Sequence, residues 1–138
     1  MDYWHKFSEL FVGCWEVAIY GGWYALWPGV ALILVGYIRS RRVLDKRPAR
    51  WLLLSAGPFV AHLIVVAVAA HYYSTRTEND ALIPVVMLAM GGSLLLGLVA
   101  VWLAAGYRLL AAGALLVAIP ITLVTYFVGM MVITNSQL

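Results

Sequence analysis

Charged side chains are scarce in this chain. Lys, Arg, Asp and Glu make up 11% of its 138 residues, whereas hydrophobic residues make up 64%. A soluble domain usually carries about a quarter charged residues. So little polar surface cannot cover a water-soluble globule, and the apolar excess therefore indicates an integral membrane protein.

Cysteine and catalytic motifs are equally sparse. Cys14 is the one cysteine, which excludes an intramolecular disulfide and a paired-cysteine metal site. The sequence contains no nucleophile elbow, zinc-protease motif, phosphate-binding loop or dinucleotide-binding glycine pattern. We expect no enzymatic activity, no cleavable leader and no cofactor, with bound lipid as the expected small-molecule companion.

What the sequence does contain is four long apolar stretches without Lys, Arg, Asp or Glu. They cover about 18–38, 51–73, 81–104 and 109–133. Each reaches the ~20 residues that a helix needs to cross about 30 Å of hydrocarbon. Because short segments connect them, they predict an all-α, up-down four-helix bundle that forms a single transmembrane domain over residues 1–138.

The basic residues predict the orientation. Six of nine lie in the connecting segment 39–50, and they are Arg39, Arg41, Arg42, Lys46, Arg47 and Arg50. The positive-inside rule places this loop in the cytoplasm and both termini on the outer face of the inner membrane. The same side chains are candidates for contact with anionic lipids or an acidic partner, although topology alone explains them. Nucleic acid is not an expected partner.

The first 20 residues have a different pattern. Residues 3–20 form an amphipathic helix on a 100° wheel, with an apolar arc of Trp4, Phe7, Phe11, Cys14, Trp15 and Ala18. His5, Glu9, Gly13 and Glu16 lie opposite. This pattern is typical of a helix in the membrane interface. Gly21-Gly22 is a candidate hinge, and a single continuous helix to Ile38 is the open alternative. We expect Tyr20, Trp23 and Tyr24 at the outer interface.

Small residues recur at four-residue spacing in two of the apolar stretches. One ridge is Gly21-Ala25-Gly29 and the other is Ala89-Ser93-Gly97. Such ridges let helix backbones approach closely.

Each apolar stretch also contains one proline. Pro84 is expected in a first helical turn, where a missing N–H costs little, and Pro28, Pro58 and Pro120 are expected to kink their helices.

His62 is the leading candidate for chemistry. Counting depth along the helices places it near the midplane, level with Ser93 and Thr122, either of which could accept its hydrogen bond. A proton relay, a haem ligand or a substrate site are the functional interpretations, and polar packing between helices is the simpler one.

A weaker group of soft ligands is predicted near the outer face. Its members are His71, Met87, Met90, Met130 and Met131. Thioethers and imidazole suit Cu(I). The spacing matches no metal motif, however, and packing is the favoured interpretation.

These features favour a non-catalytic accessory subunit of a larger inner-membrane complex, assembled with other membrane subunits. A small transporter or channel that works as a homo-oligomer around His62 is the second hypothesis. A membrane-embedded regulator or immunity-type protein is the third.

Overall fold

Four long helices form the protein. The computed structural model describes residues 3–44, 50–75 and 79–134, which are almost entirely helical and contain no strand. The helices are α1 (Tyr3–Leu44), α2 (Gly57–Thr75), α3 (Ile83–Leu103) and α4 (Arg108–Ile133), and short 3₁₀ segments at Arg50–Ala56 and Asp80–Leu82 precede α2 and α3. All four helices are long and apolar enough to cross a membrane. The predicted all-α membrane bundle is confirmed.

The helices alternate in direction. The Tyr3 hydroxyl donates a hydrogen bond to the Ala67 carbonyl at 3.2 Å, while Phe11, farther along α1, contacts His62. Since α2 numbering falls as α1 numbering rises, these two helices are antiparallel. α4 likewise runs opposite to α1.

The helix boundaries differ from the predicted ones at the basic segment. α1 continues to Leu44, so residues 39–44 are helical, and 51–56 form a 3₁₀ segment instead of the first turns of α2. Pro58 therefore lies in the first turn of α2 and does not kink its interior as expected. Its missing N–H would be unpaired there in any case. Pro84 occupies a first turn as predicted.

α1 is continuous through Gly21 and Gly22, so the hinge is absent and the alternative of one long helix applies. The first turns of α1 lie beside the last turns of α2, and the apolar face of these α1 turns packs against protein. Leu10 and Cys14 form a buried cluster with residues of α2 and α4 such as Val66 and Val132. Residues 3–20 are thus not a separate interfacial helix but part of α1, and neighbouring helices cover most of the face predicted to enter lipid, with Trp4 left 70% exposed.

Three glycines spaced seven residues apart bring α1 against α4. A β-carbon on Gly22 would lie 2.3 Å from Pro120, one on Gly29 would lie 3.0 Å from the Gly113 carbonyl, and one on Gly36 would lie 2.7 Å from the Leu110 nitrogen. The backbones are therefore in direct contact. The seam extends from Gly22 to Gly36 on α1 and from Pro120 to Leu110 on α4.

The predicted small-residue ridges are only partly at these contacts. In the first ridge Gly29 lies at the contact with α4, whereas Gly21 faces open space and Ala25 is half-buried. On α3, Ser93 and Gly97 are buried whereas Ala89 is exposed. The buried face of α3 instead follows alternating steps of three and four residues, because that spacing keeps side chains on one side of a helix.

We expect Gly29→Ala to lower the free energy of unfolding by about 1–3 kcal/mol, because the added methyl would push two backbones apart. Gly21→Ala is the matched control, since nothing lies within 4 Å of the added carbon. It should be neutral or stabilising by up to ~1 kcal/mol. Unfolding of both variants in the same detergent measures the difference, and equal stabilities would contradict the glycine contact.

Candidate functional site

His62 lies in the middle of the bundle, where α1, α2 and α4 meet. It is 1% exposed, and its Nδ1 forms a hydrogen bond with the Thr125 hydroxyl of α4. The predicted partners were wrong. Ser93 donates to the Met90 carbonyl of its own helix at 2.7 Å, and Thr122 lies one turn before Thr125. Residue positions counted from the ends of apolar stretches do not distinguish Thr122 from Thr125, which are one helical turn apart.

Aromatic rings of α1 cover the imidazole. The Phe11 and Trp15 rings lie 5.4 and 6.1 Å from it, the Trp15 ring nearly perpendicular. Cys14, between these two residues in the chain, is also buried. Phe11 and Trp15, two members of the apolar arc that was predicted to face lipid, thus form a wall of the site.

Several buried polar atoms around His62 have no hydrogen-bond partner among the described residues. They are the His62 Nε2, the Thr122 hydroxyl and the Trp15 indole nitrogen. An unpaired polar atom in an apolar interior costs free energy. These atoms are unused hydrogen-bonding groups in the centre of the bundle, although His62 lines neither of the two clefts of about 410 and 170 Å³.

The predicted soft-ligand residues have different surroundings. The His71 ring packs on Tyr72, and Met90 is buried with Val86. Met87 and Met90 line a cleft of about 170 Å³ between α3 and α4 that Thr122 also lines. Met130 is half-buried and Met131 partly exposed. Within the described ranges, no group of three His, Cys, Asp or Glu side chains could hold a metal ion.

The basic segment is described in part. Arg39 is exposed near the end of α1 and lines a cleft with Arg108 of α4. Arg41 and Arg42 belong to α1 and Arg50 begins the 3₁₀ segment before α2. Lys46 and Arg47 lie outside the described residues.

Lys6 is a buried charge that the sequence analysis missed. It is 6% exposed. Its ammonium pairs with Glu9 at 2.8 Å and lies 4.1 Å from the centre of the Tyr73 ring. A lysine four residues before Leu10 lies on the same helix face, and this spacing was the available signal. Glu16 is exposed, as predicted.

An aromatic face of α1 lies exposed halfway along the bundle. Gly22 contacts Pro120, the middle of α4, so the neighbouring Tyr20 and Tyr24 lie level with the middle of that helix. They are 82% and 74% exposed.

The fold defines a multi-pass helical membrane protein with a buried polar centre and an exposed aromatic face. No protein-family model, curated protein or solved structure matches this chain.

We expect Thr125→Val to destabilise the bundle by about 0.6–2 kcal/mol, because it removes the hydrogen bond to buried His62. Thr122→Val is the matched control one turn away. It removes a hydroxyl without a described partner and should be neutral or slightly stabilising. Unfolding measurements on both variants test this, and the reverse order would show that His62 is held by Thr122.

Proposed function

We propose that this protein is a non-catalytic accessory subunit of a larger membrane complex, and that the aromatic face of α1 binds a transmembrane helix of another subunit. We define this face as Tyr20, Trp23, Tyr24 and Trp27. The observation that carries the proposal is its position: polar-tipped aromatic side chains are exposed at the centre of a spanning helix. Such residues ordinarily lie at the membrane surface, where their polar ends reach water.

The burial of α1 supports the same interpretation. In its most apolar 18-residue stretch only 11% of residues are buried, against 44% in α2 and in α4. Tyr20, Tyr24 and Trp27, at 82%, 74% and 68% exposure, leave an area on the order of 600 Å² uncovered. A stable interface buries about 800 Å² per partner. These rings would therefore supply most of one side of such an interface.

The hydrogen-bonding groups of this face indicate the kind of partner. Among the described residues, neither Tyr20 nor Tyr24 has a hydrogen-bond partner for its hydroxyl. Indole N–H groups only donate. The complementary surface is a helix that offers acceptors, such as Ser or Thr hydroxyls or carbonyls freed at a proline kink.

His62 supports a second candidate, a small transporter that works as a homo-oligomer. Its unpaired Nε2 in a buried, central position is the favourable observation. Neither the cleft beside Arg39 nor the cleft beside Met87 is lined by His62. The aromatic face supports the subunit role more directly, because a subunit role requires no substrate pathway through the bundle.

The partner experiment is a gentle detergent purification from the native membrane followed by quantitative mass spectrometry. We expect stoichiometric membrane subunits to co-purify with the wild type and to be lost with Trp27→Ala. Trp102→Ala is the control, because Trp102 is 74% exposed, against 68% for Trp27, and lies at the end of α3. The Trp102→Ala variant should still co-purify with the same membrane subunits as the wild type.

Two outcomes would contradict the subunit proposal. Partner loss in both tryptophan variants would show a general effect of truncating exposed rings. A homo-oligomer without other stoichiometric proteins would favour the transporter.

We further propose that residues 39–50 face the cytoplasm in an inner membrane, with both termini outside. The arginine asymmetry of the sequence supports this orientation. A reporter that is active only in the cytoplasm should be silent when fused after Leu138 and active when inserted at Asp45. Activity after Leu138 would reverse the orientation.

A further inference from the structure

A basic cleft lies at the end of the bundle that carries Arg39. It has a volume of about 410 Å³ and is lined by Gly36, Arg39, Gly106, Tyr107, Arg108 and Leu109. This volume is within the range of about 300–1,000 Å³ that small-molecule sites have. The cleft lies between the last turns of α1 and the turn that leads into α4.

Two features of the backbone shape this cleft. Gly36 brings α1 into contact with the first turn of α4, since a β-carbon there would lie 2.7 Å from the Leu110 nitrogen. Gly106 has a φ of 95°, a conformation that glycine adopts without strain. This tight turn carries Arg108 back toward α1, so that two helices distant in sequence each contribute an arginine.

The charges in the cleft are one-sided. Arg39 and Arg108 line it, and among the described residues no acid does. In the described part of the chain the one ion pair joins Lys6 and Glu9, at the opposite end of α1. The α4 N-terminus adds to this field, because Tyr107 makes no side-chain cap and the first turn holds no acid. Guanidinium groups in this setting favour a phosphate, which each can bind through two parallel hydrogen bonds.

We infer that this cleft binds the phosphate headgroup of an anionic membrane lipid through Arg39 and Arg108. The position of the cleft at the end of the bundle favours a lipid headgroup over free phosphate. Trp102, at 74% exposure in the last turn of α3, and Tyr37, beside Arg39 on α1, lie at the same end of the bundle. Aromatic residues at helix ends mark the headgroup level of a bilayer. This inference goes beyond the proposed subunit role and does not depend on it.

The test titrates delipidated protein in neutral detergent with phosphatidylglycerol and, separately, with phosphatidylcholine, and it counts bound lipid by native mass spectrometry. We expect phosphatidylglycerol to bind saturably and phosphatidylcholine not to do so. R39Q/R108Q should weaken this binding by about tenfold or more. The charge-matched control R41Q/R47Q removes two charges from the same basic segment, and position 41 is not on the helix face of Arg39. It should change this binding by less than about threefold. Equal losses in both double variants would overturn the site, because they would show attraction by general charge.

Two further arms keep the result decisive. If R39Q/R108Q does not fold, R39K/R108K keeps both charges but loses the planar guanidinium fork, and weaker binding is still expected. Unchanged lipid binding in that lysine variant would contradict bidentate recognition. Inorganic phosphate added in excess should not displace the lipid, and full displacement would assign the cleft to a free anion.

Discussion

The contact between α1 and α4 is the constraint on which the rest of the structure depends. Lipid tails are as apolar as leucine, so the hydrophobic effect does not drive helices together within a membrane, and close van der Waals contact must do so. Gly22, Gly29 and Gly36 make that contact possible by removing side chains where the two backbones meet. The resulting path of α1 places Phe11 and Trp15 over His62, turns the aromatic face outward and closes one side of the basic cleft.

The existence of four membrane helices could be predicted from the sequence because it depends on a property that residues carry independently of context. A run of ~20 apolar residues without charge has few alternatives to a spanning helix. The positions of the helix ends depend on more than the apolar character of a segment. Hydropathy measures whether a segment is apolar and not whether its hydrogen bonds are α or 3₁₀, so 51–56 was assigned to α2, although the α-helix begins at Gly57, with Pro58 in its first turn.

The candidate site was predicted only to the resolution of a helical turn. The burial and central position of His62 follow from its place in the second span, but its partner depends on how far α4 is shifted along α2. Thr122 and Thr125 lie on one face of α4, and a shift of three residues exchanges them. The same ambiguity affected the ridges. The four-residue spacing from Gly21 and the seven-residue spacing from Gly22 both pass through Gly29, and sequence alone does not tell which one meets a neighbour.

Depth in the membrane distinguishes the two exposed surfaces of this protein. At the end of the bundle, headgroups and water can satisfy a guanidinium, so Arg39 and Arg108 need no protein partner to be stable. At mid-depth neither is present. A hydrogen-bond acceptor on another polypeptide would satisfy the Tyr20 and Tyr24 hydroxyls, which lie beside Gly22. The same physical requirement, a partner for an exposed polar group, therefore supports both proposals, a lipid in the cleft and a protein on the aromatic face.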